Sequence, residues 1–419
     1  MRIAMLTNNY KPFIGGVPIS IERLASGLRN LGHQVTVFAP EGAGCEEEPD
    51  VVRYKVLYEQ REKGLVVGNF IDNRIEERFR REKFDIIHVH HPMVIGFTAV
   101  YLSKKYGIPL AYTYHTRYEE YLHYFKLYEK MTEGWAPARH AARYGKEVIV
   151  PNYLTAFANR CDTVFVPTGS MKGFLMDQGI RTPLEVLPTG IGADAFKRDP
   201  DREKEIRSRY LNGEKWLFAT TARLENEKNL DFLLRGAARL KEMAGSCFRI
   251  LVIGDGTKKN ELKSLAKELG IEEQIVFTGR IPNTEVPYYL HAADGFLFAS
   301  KSETQGIVLL EAMAAGCPVV AVRASGVVDA VSQGKNGFMT EEEEGEWASA
   351  VMRLMTDQPL YQKLSEGAVK TASLYDAGTV ARMAEHQYRK MIERREYQHG
   401  EDDSQNLFMP SLLRLFKTA

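Results

Sequence analysis

Cysteine is scarce in this chain, with four residues in 419: Cys45, Cys161, Cys247 and Cys317. They are scattered and form no C-x-x-C pair, which argues against a disulfide scaffold or a cysteine zinc site and suits a reducing compartment. Net charge is lacking too: 55 Lys+Arg stand against 55 Asp+Glu. That balance leaves no overall footprint for nucleic acid. No apolar run approaches the length that spans a bilayer. Met1 leads directly into the strand-like "RIAMLTN", without a signal-peptide apolar region. Together these absences read as a cytoplasmic protein.

What is present fits a soluble globular chain, with 44% apolar and 26% charged residues. The length exceeds one ordinary core and predicts two domains. Short apolar runs alternate with amphipathic stretches. "RIAMLT" precedes a helix in "VPISIERLASGLRNLGH" that carries Ile21, Leu24, Leu28 and Leu31 on one face, with Pro18 near its start and Gly32 past its end. "QVTVFAP", "FDIIHVH", "PLAYTYH", "TVFVPTG" and "LEVLPTGI" are further strands. "KWLFATTARL" restarts the alternation, followed by "FRILVIGDG", "QIVFTGRI", "DGFLFAS" and "PVVAV". Strands alternating with helices imply parallel sheets covered on both faces.

The expected fold is α/β, two Rossmann-like doubly wound domains facing each other across a cleft. The first domain spans 1–190, with an aromatic-rich helical insertion at 116–147. The segment "PTGIGADAFKRDP" at 188–200 suits a linker, and the second domain spans 191–375. A helix over 376–397 is expected to pack back on the first domain. The tail 398–419 is apolar near its end and interrupted by Pro410. Open α/β sheets bind ligands beyond the carboxyl ends of their strands, so chemistry should sit there.

In "SKSETQGIVLLEAMAAGCPVVAV" a strand ends near Ser300, "SETQG" turns, and a helix begins. The amides of Gly306, Ile307 and Val308 at that helix start, with the helix dipole, form an anion site matched to phosphate. Glu303 before the turn can accept hydrogen bonds from hydroxyls. Glu311, two turns on, can accept both hydroxyls of a ribose. Sugar, phosphate and ribose in a row describe a nucleotide sugar; the bland alternative is a capping Glu303 and a surface Glu311. "ARLENEKN" adds Arg223 and Lys228 between a strand and a helix, placed to grip a diphosphate and stabilise it as a leaving group. As an isolated pair they would be surface charges.

The weaker signals are Gly254 in "GDG", where backbone can approach a ligand, and Arg280 and Ile281 in "TGRI", placed to flank a base or simply forming a turn. "GDGTKKN" departs from G-x-G-x-x-G, against a dinucleotide fingerprint. In the first domain Gly15 and Gly16 stand between strand and helix, where side-chain-free backbone can approach phosphate. His115 ends the "AYTYH" strand. His88, His90 and His91 in "IHVHHP" have no carboxylate nearby and are expected to be structural, with His88 and His90 on one face. No Asp-x-Asp pair stands at a strand end, so no metal is expected to hold the diphosphate.

These residues resemble the retaining glycosyltransferases of family four, with the two-Rossmann-domain GT-B fold. The likeness runs from "GGVPISIERLASGLRNLGHQVTVFAP" through "PTGI" and "ARLENEKN" to "ETQGIVLLEAMAAGCPVVA". It implies an acceptor-side first domain and a nucleotide-sugar-binding second domain. It further implies that Glu303 contacts the donor sugar, Glu311 the ribose, Arg223 and Lys228 the diphosphate, Gly16 the phosphate from a glycine loop, and His115 the sugar. The family needs no metal or other cofactor and transfers sugar with retention. "TYHTRYEEYLHYF" looks like the diacylglycerol glucosyltransferases, which implies glucose from a UDP-sugar, a lipid hydroxyl acceptor and a peripheral membrane contact through 116–147 or the tail. "PTGIGADAF" departs from relatives by placing Gly192 where Asp or Asn is common. The aromatic stripe could equally be core or a dimer contact. A GDP-mannose-dependent mannosyltransferase, a non-hydrolysing sugar-nucleotide epimerase and a non-catalytic sensor stay open as alternatives.

Overall fold

The structure is a computed structural model. It describes residues 1–13, 15–42, 44–45, 48–60, 65–69, 72–118, 132, 135–301 and 303–415, with backbone alone at 59–60, 65–67 and 398–415. The chain forms two compact units. One comprises Met1–Pro167, Lys172–Leu187 and Val380–Ala419; the other comprises Thr168–Met171 and Pro188–Thr379.

The first unit is built on strands β1 (Arg2–Leu6), β2 (Gln34–Pro40), β3 (Val51–Tyr54), β6 (Ile86–Val89), β7 (Leu110–Thr113), β8 (Thr163–Val166) and β9 (Leu184–Val186). They form one sheet in the order β3-β2-β1-β6-β7-β8-β9. Every pairing is parallel. β4 (Val56–Gln60) and β5 (Leu65–Gly68) make a separate antiparallel hairpin. Most strand residues are apolar and buried because both faces are covered. On one face Ile3, Met5, Val35 and Val37 pack with Ile21, Leu24 and Leu28 of the helix Gly16–Asn30. The predicted stripe of that helix is thus the buried one, although Leu31 is only partly covered. Val380, Ala381, Ala384, Tyr388 and Met391 of the C-terminal helix complete this core. On the other face Phe38, Phe79 and Phe84 cluster, with ring centroids 4.6–5.9 Å apart.

The second unit carries β10 (Trp216–Thr221), β11 (Phe248–Ile253), β12 (Ile275–Gly279), β13 (Gly295–Phe298), β14 (Val319–Val322) and β15 (Gly337–Thr340). The sheet order is β12-β11-β10-β13-β14-β15, again parallel. Successive residues of a strand face opposite sides. Trp216 and Phe218 accordingly join the core under the helices Leu230–Ala244 and Glu344–Thr356. Leu217 and Ala219 join the one under Val286–Ala292 and Ile307–Ala314.

Both sheets have a point where the strand order reverses, between β1 and β6 in the first and between β10 and β13 in the second. Loops leaving the carboxyl ends of such strand pairs diverge and leave a crevice for ligand.

Two expectations change. The tail is not separated from the last helix: one helix, Ala377–Leu415, runs through Gly400 and Pro410. A single helical glycine costs about 1 kcal/mol, which disfavours a helix without stopping it. Most of the aromatic insertion, 119–131 and 133–134, lies outside the described residues. Its described end is the helix Ala136–Tyr144, which buries only Ala142 and leaves Trp135 and Tyr144 exposed. That part is not core. Among the described residues no helix is long and apolar enough to cross a membrane.

Candidate active site

In the second unit the switch point brings together the two motifs that sequence placed at strand ends. β10 leads into Arg223–Lys228 and β13 into the turn ending at Gly306. Lys228 Nζ donates to Glu303 Oε1 at 2.6 Å, with the two side chains 14% and 18% exposed. A largely enclosed ion pair is costly to break by deleting one partner, since the other charge is then left desolvated. Sequence gave the two residues separate duties; the fold makes them one unit. Arg223, more exposed, pairs with Glu227 at 3.0 Å. The backbone of Glu227 accepts from Lys301 N at 3.2 Å, tying the two strand-end loops together.

The turn before the helix Ile307–Ala314 is held by Gln305. Its Oε1 accepts from Thr189 N at 2.7 Å and its Nε2 donates to Thr189 O at 3.0 Å. Gly306 has φ 69°, a left-handed conformation that favours glycine. The first-turn amides of this helix have no preceding helical carbonyl to bond. Sequence expected an anion site at these amides; they open the helix that follows Glu303, the partner of Lys228. Gly326 backs the turn: a Cβ there would stand 3.0 Å from the Glu303 Cβ and 3.2 Å from Gln305 N. Glu311 is half-buried one helical turn further on.

The flanking candidates are less closely assembled. Gly254 has φ 138°, and a Cβ would come 1.9 Å from the Ala222 carbonyl oxygen. Close backbone passage between two loops therefore explains this glycine without a ligand. Arg280 is exposed, and Ile281 is partly buried against the core that includes the helix Ile307–Ala314.

In the first unit, Gly15 and Gly16 open the helix Gly16–Asn30, as expected. Gly15 is extended, with φ −176°, so its backbone does not demand glycine. Among the described residues, a Cβ on Gly16 would meet nothing within 4 Å. The preceding loop is anchored by side-chain hydrogen bonds. Tyr10 OH donates to Glu22, and Asn8 N donates to His91 Nδ1 at 3.2 Å.

The three histidines of "IHVHHP" divide their roles. His88 and His90 lie on one face, ring centroids 4.2 Å apart. His88 is fully buried, with Nδ1 2.7 Å from Tyr388 OH and Nε2 2.6 Å from Thr113 Oγ1. It is structural, and so is His91. His90 is also buried, and its Nδ1 lies 2.9 Å from His115 Nε2, the rings stacked at 22°. Burial holds both His90 and His115 well below the ordinary histidine pKa, so the pair is neutral at physiological pH. Among the described residues no group of three or more His, Cys, Asp or Glu is arranged to hold a metal ion.

Comparison with known proteins bears on this arrangement. Residues 14–195 match the family described as Glycosyltransferase Family 4, and 201–371 match Glycosyl transferases group 1. The alpha-monoglucosyldiacylglycerol synthase of Streptococcus pneumoniae is 31% identical over 334 residues, covering 77% of this chain and 71% of that protein. The chain belongs to glycosyltransferase family 4. The alpha-monoglucosyldiacylglycerol synthase of Acholeplasma laidlawii is 28% identical, covering 94% of this chain and 98% of its own. A GDP-mannose-dependent alpha-(1-6)-phosphatidylinositol monomannoside mannosyltransferase of Mycolicibacterium smegmatis is also 28% identical, over 80% and 84%. In fold, the UDP complex of Anabaena HepE superposes with a TM-score of 0.72 at 19% identity, covering 93% of this chain and all of that one. This is the GT-B fold.

For this family 4 glycosyltransferase, sequence reading did not single out Glu227, Gln305 or Gly326, nor the contact of His90 with His115. Glu227 carried a signal, standing four residues after Arg223 before a helix. Gln305 lay inside the quoted motif but its partner is 116 residues away. Gly326 has no signal along the chain, because the turn it backs is some twenty residues earlier.

Proposed function

We propose that this glycosyltransferase moves a glucosyl group from UDP-glucose to a hydroxyl of a diacylglycerol-type membrane lipid, with retention at the anomeric carbon. The observation that carries the transfer reading is the Lys228–Glu303 pair at the start of the helix Ile307–Ala314. A diphosphate at those amides would share Lys228 with Glu303, leaving the Glu303 carboxylate free to accept from sugar hydroxyls. As the anomeric carbon–oxygen bond breaks, its electron pair moves onto the diphosphate, where Lys228, Arg223 and the helix dipole stabilise it. The departing phosphate oxygen takes the proton of the attacking hydroxyl on the same face. Glu303 positions, Glu311 holds the ribose, and His115 touches the sugar. Gly254, Arg280 and Ile281 line the nucleotide end, and Gly15 and Gly16 admit phosphate. In this reading the positive charge at the diphosphate comes from the protein, and no metal is required.

The glucose and lipid assignments are supported by the two synthases named above. The membrane-surface reading draws support from the exposed Trp135, Tyr144 and Ile149, aromatic and aliphatic groups suited to an interface. The mannosyltransferase relative supports a second reading, a GDP-mannose donor with a lipid acceptor.

The test is thermal stabilisation by UDP-glucose, UDP-galactose, UDP-N-acetylglucosamine and GDP-mannose, with and without EDTA, followed by turnover on diacylglycerol vesicles. A ligand that binds only the folded state raises Tm. UDP-glucose alone should raise Tm, insensitive to EDTA, and should yield glucosyl lipid. A shift with GDP-mannose alone would replace glucose by mannose, and an acceptor-independent change in the donor sugar would indicate epimerisation instead.

A further inference from the structure

We infer that His90 is the positioning residue of His115, fixing its tautomer so that the Nδ1–H is the group offered to substrate. This rests on the reading above that His115 touches the donor sugar.

The argument is proton accounting. His90 is 1% exposed, and its Nε2 is buried with no hydrogen-bond partner among the described residues. A neutral imidazole carries one proton. On His90 Nε2, that proton would form a buried N–H with nothing to accept it, an arrangement rarer in folded proteins than an unused acceptor. On Nδ1 it is donated to His115 Nε2, 2.9 Å away. His115 Nε2 is then an acceptor, and the single proton of its neutral ring must sit on Nδ1. His115 thus offers a donor, suited to a sugar hydroxyl oxygen.

The donor ring is itself held. His90 N donates to Leu6 O at 2.9 Å, anchoring the backbone to β1. The His88 ring packs against it, and His88 is pinned at both nitrogens by hydroxyls from β7 and the C-terminal helix. Thr113, one of those anchors, lies two residues before His115. A free imidazole would interchange its tautomers; this one is set by a neighbour that cannot turn. Desolvation of the pair, fullest at His90, keeps a second proton off it.

The test uses the full chain with 15N-labelled histidine, assigning His115 by its loss in His115→Asn. Long-range 1H–15N spectra distinguish the Nδ1–H from the Nε2–H form. The expected result is an Nδ1–H form for His115 in the native chain, and a shift toward Nε2–H in His90→Leu. His90→Asn keeps an amide donor near the Nδ1 position and should retain the Nδ1–H form. In kinetics with UDP-glucose, His90→Leu should lower kcat roughly tenfold with little change in donor KM. That is smaller than the ~10²-fold loss a misplacement of about 1 Å can cause. His90→Asn should recover most of it. An Nε2–H form of His115 in the native chain, or a tautomer unmoved by His90→Leu, overturns the inference. If His90→Leu does not fold, the native spectrum decides by itself. A tautomer that shifts while turnover does not upholds the positioning and removes His115 from the sugar site, so the two readings fail separately.

Discussion

Lowering the pH from 7 to 5 should destabilise the first unit through its buried histidines. His88 is fully buried and its pKa is pushed down to about 3; that of His91 is pushed down to about 4. Burial is the cause in both. In the unfolded chain each titrates near 6.5, so below that pH the unfolded state takes up protons that the folded state refuses. Stability is therefore intact above pH 6.5 and is lost as pH falls toward the folded values. At a linkage of about 1.4 kcal/mol per pH unit per proton, His88 costs about 2 kcal/mol between pH 7 and 5. His91 is partly solvent-accessible and contributes less, for about 3 kcal/mol together. Against a typical stability of about 5–15 kcal/mol this is a visible fraction. His90 and His115 act with the same sign. The carboxylate of Asp72, held low by Arg74, loses its contribution only below pH 3.8, outside the window. Asp294, raised by burial, acts oppositely. The assay is urea unfolding from pH 7 to 5 in the native chain and in His88→Gln. The variant loses a hydrogen bond and some stability, but the slope with pH is the readout. It should fall by about 1.4 kcal/mol per pH unit. Parallel slopes would refute the claim that His88 is kept neutral by burial.

The site makes further predictions. Lys228→Ala leaves Glu303 largely enclosed without its cation, and turnover should fall about 10²-fold or more; a change under threefold in kcat/KM would remove Lys228 from the diphosphate. Glu311→Ala should weaken donor binding in titration calorimetry with little effect on kcat, whereas His115→Ala should mainly lower kcat. Unchanged donor affinity in the first, or full turnover in the second, contradicts the assigned role. Gly254→Ala places a methyl 1.9 Å from the Ala222 carbonyl oxygen at φ 138°, and should lower unfolding free energy by about 2–3 kcal/mol. Equal stability in urea would mean the loop has room to move. Gln305→Ala should loosen the turn at Thr189 and raise donor KM, visible as a smaller Tm shift at fixed UDP-glucose.

Much was legible because it is local. Alternating apolar runs set the strands, and glycine and proline set their ends; every second-unit strand named from sequence is present. Arg223, Lys228, Glu303 and the start of the helix Ile307–Ala314 could be placed at strand ends by reading along the chain. The last helix was expected to end at 397, whereas it continues to Leu415. The contact of His90 with His115 was not legible because the two are 25 residues apart, His115 lying just past the end of the next strand.

By itself the sequence determined which residues end strands and begin helices, since those choices depend on neighbours a few positions away. Only the tertiary structure decided which strand ends meet. β10 lies beside β13, not beside β12, and that order brings Lys228 to Glu303 across 75 residues. In the first unit β6 lies beside β7, which brings His90 to His115. Such pairings follow from hydrogen bonding between strands distant in sequence, and no local pattern encodes them.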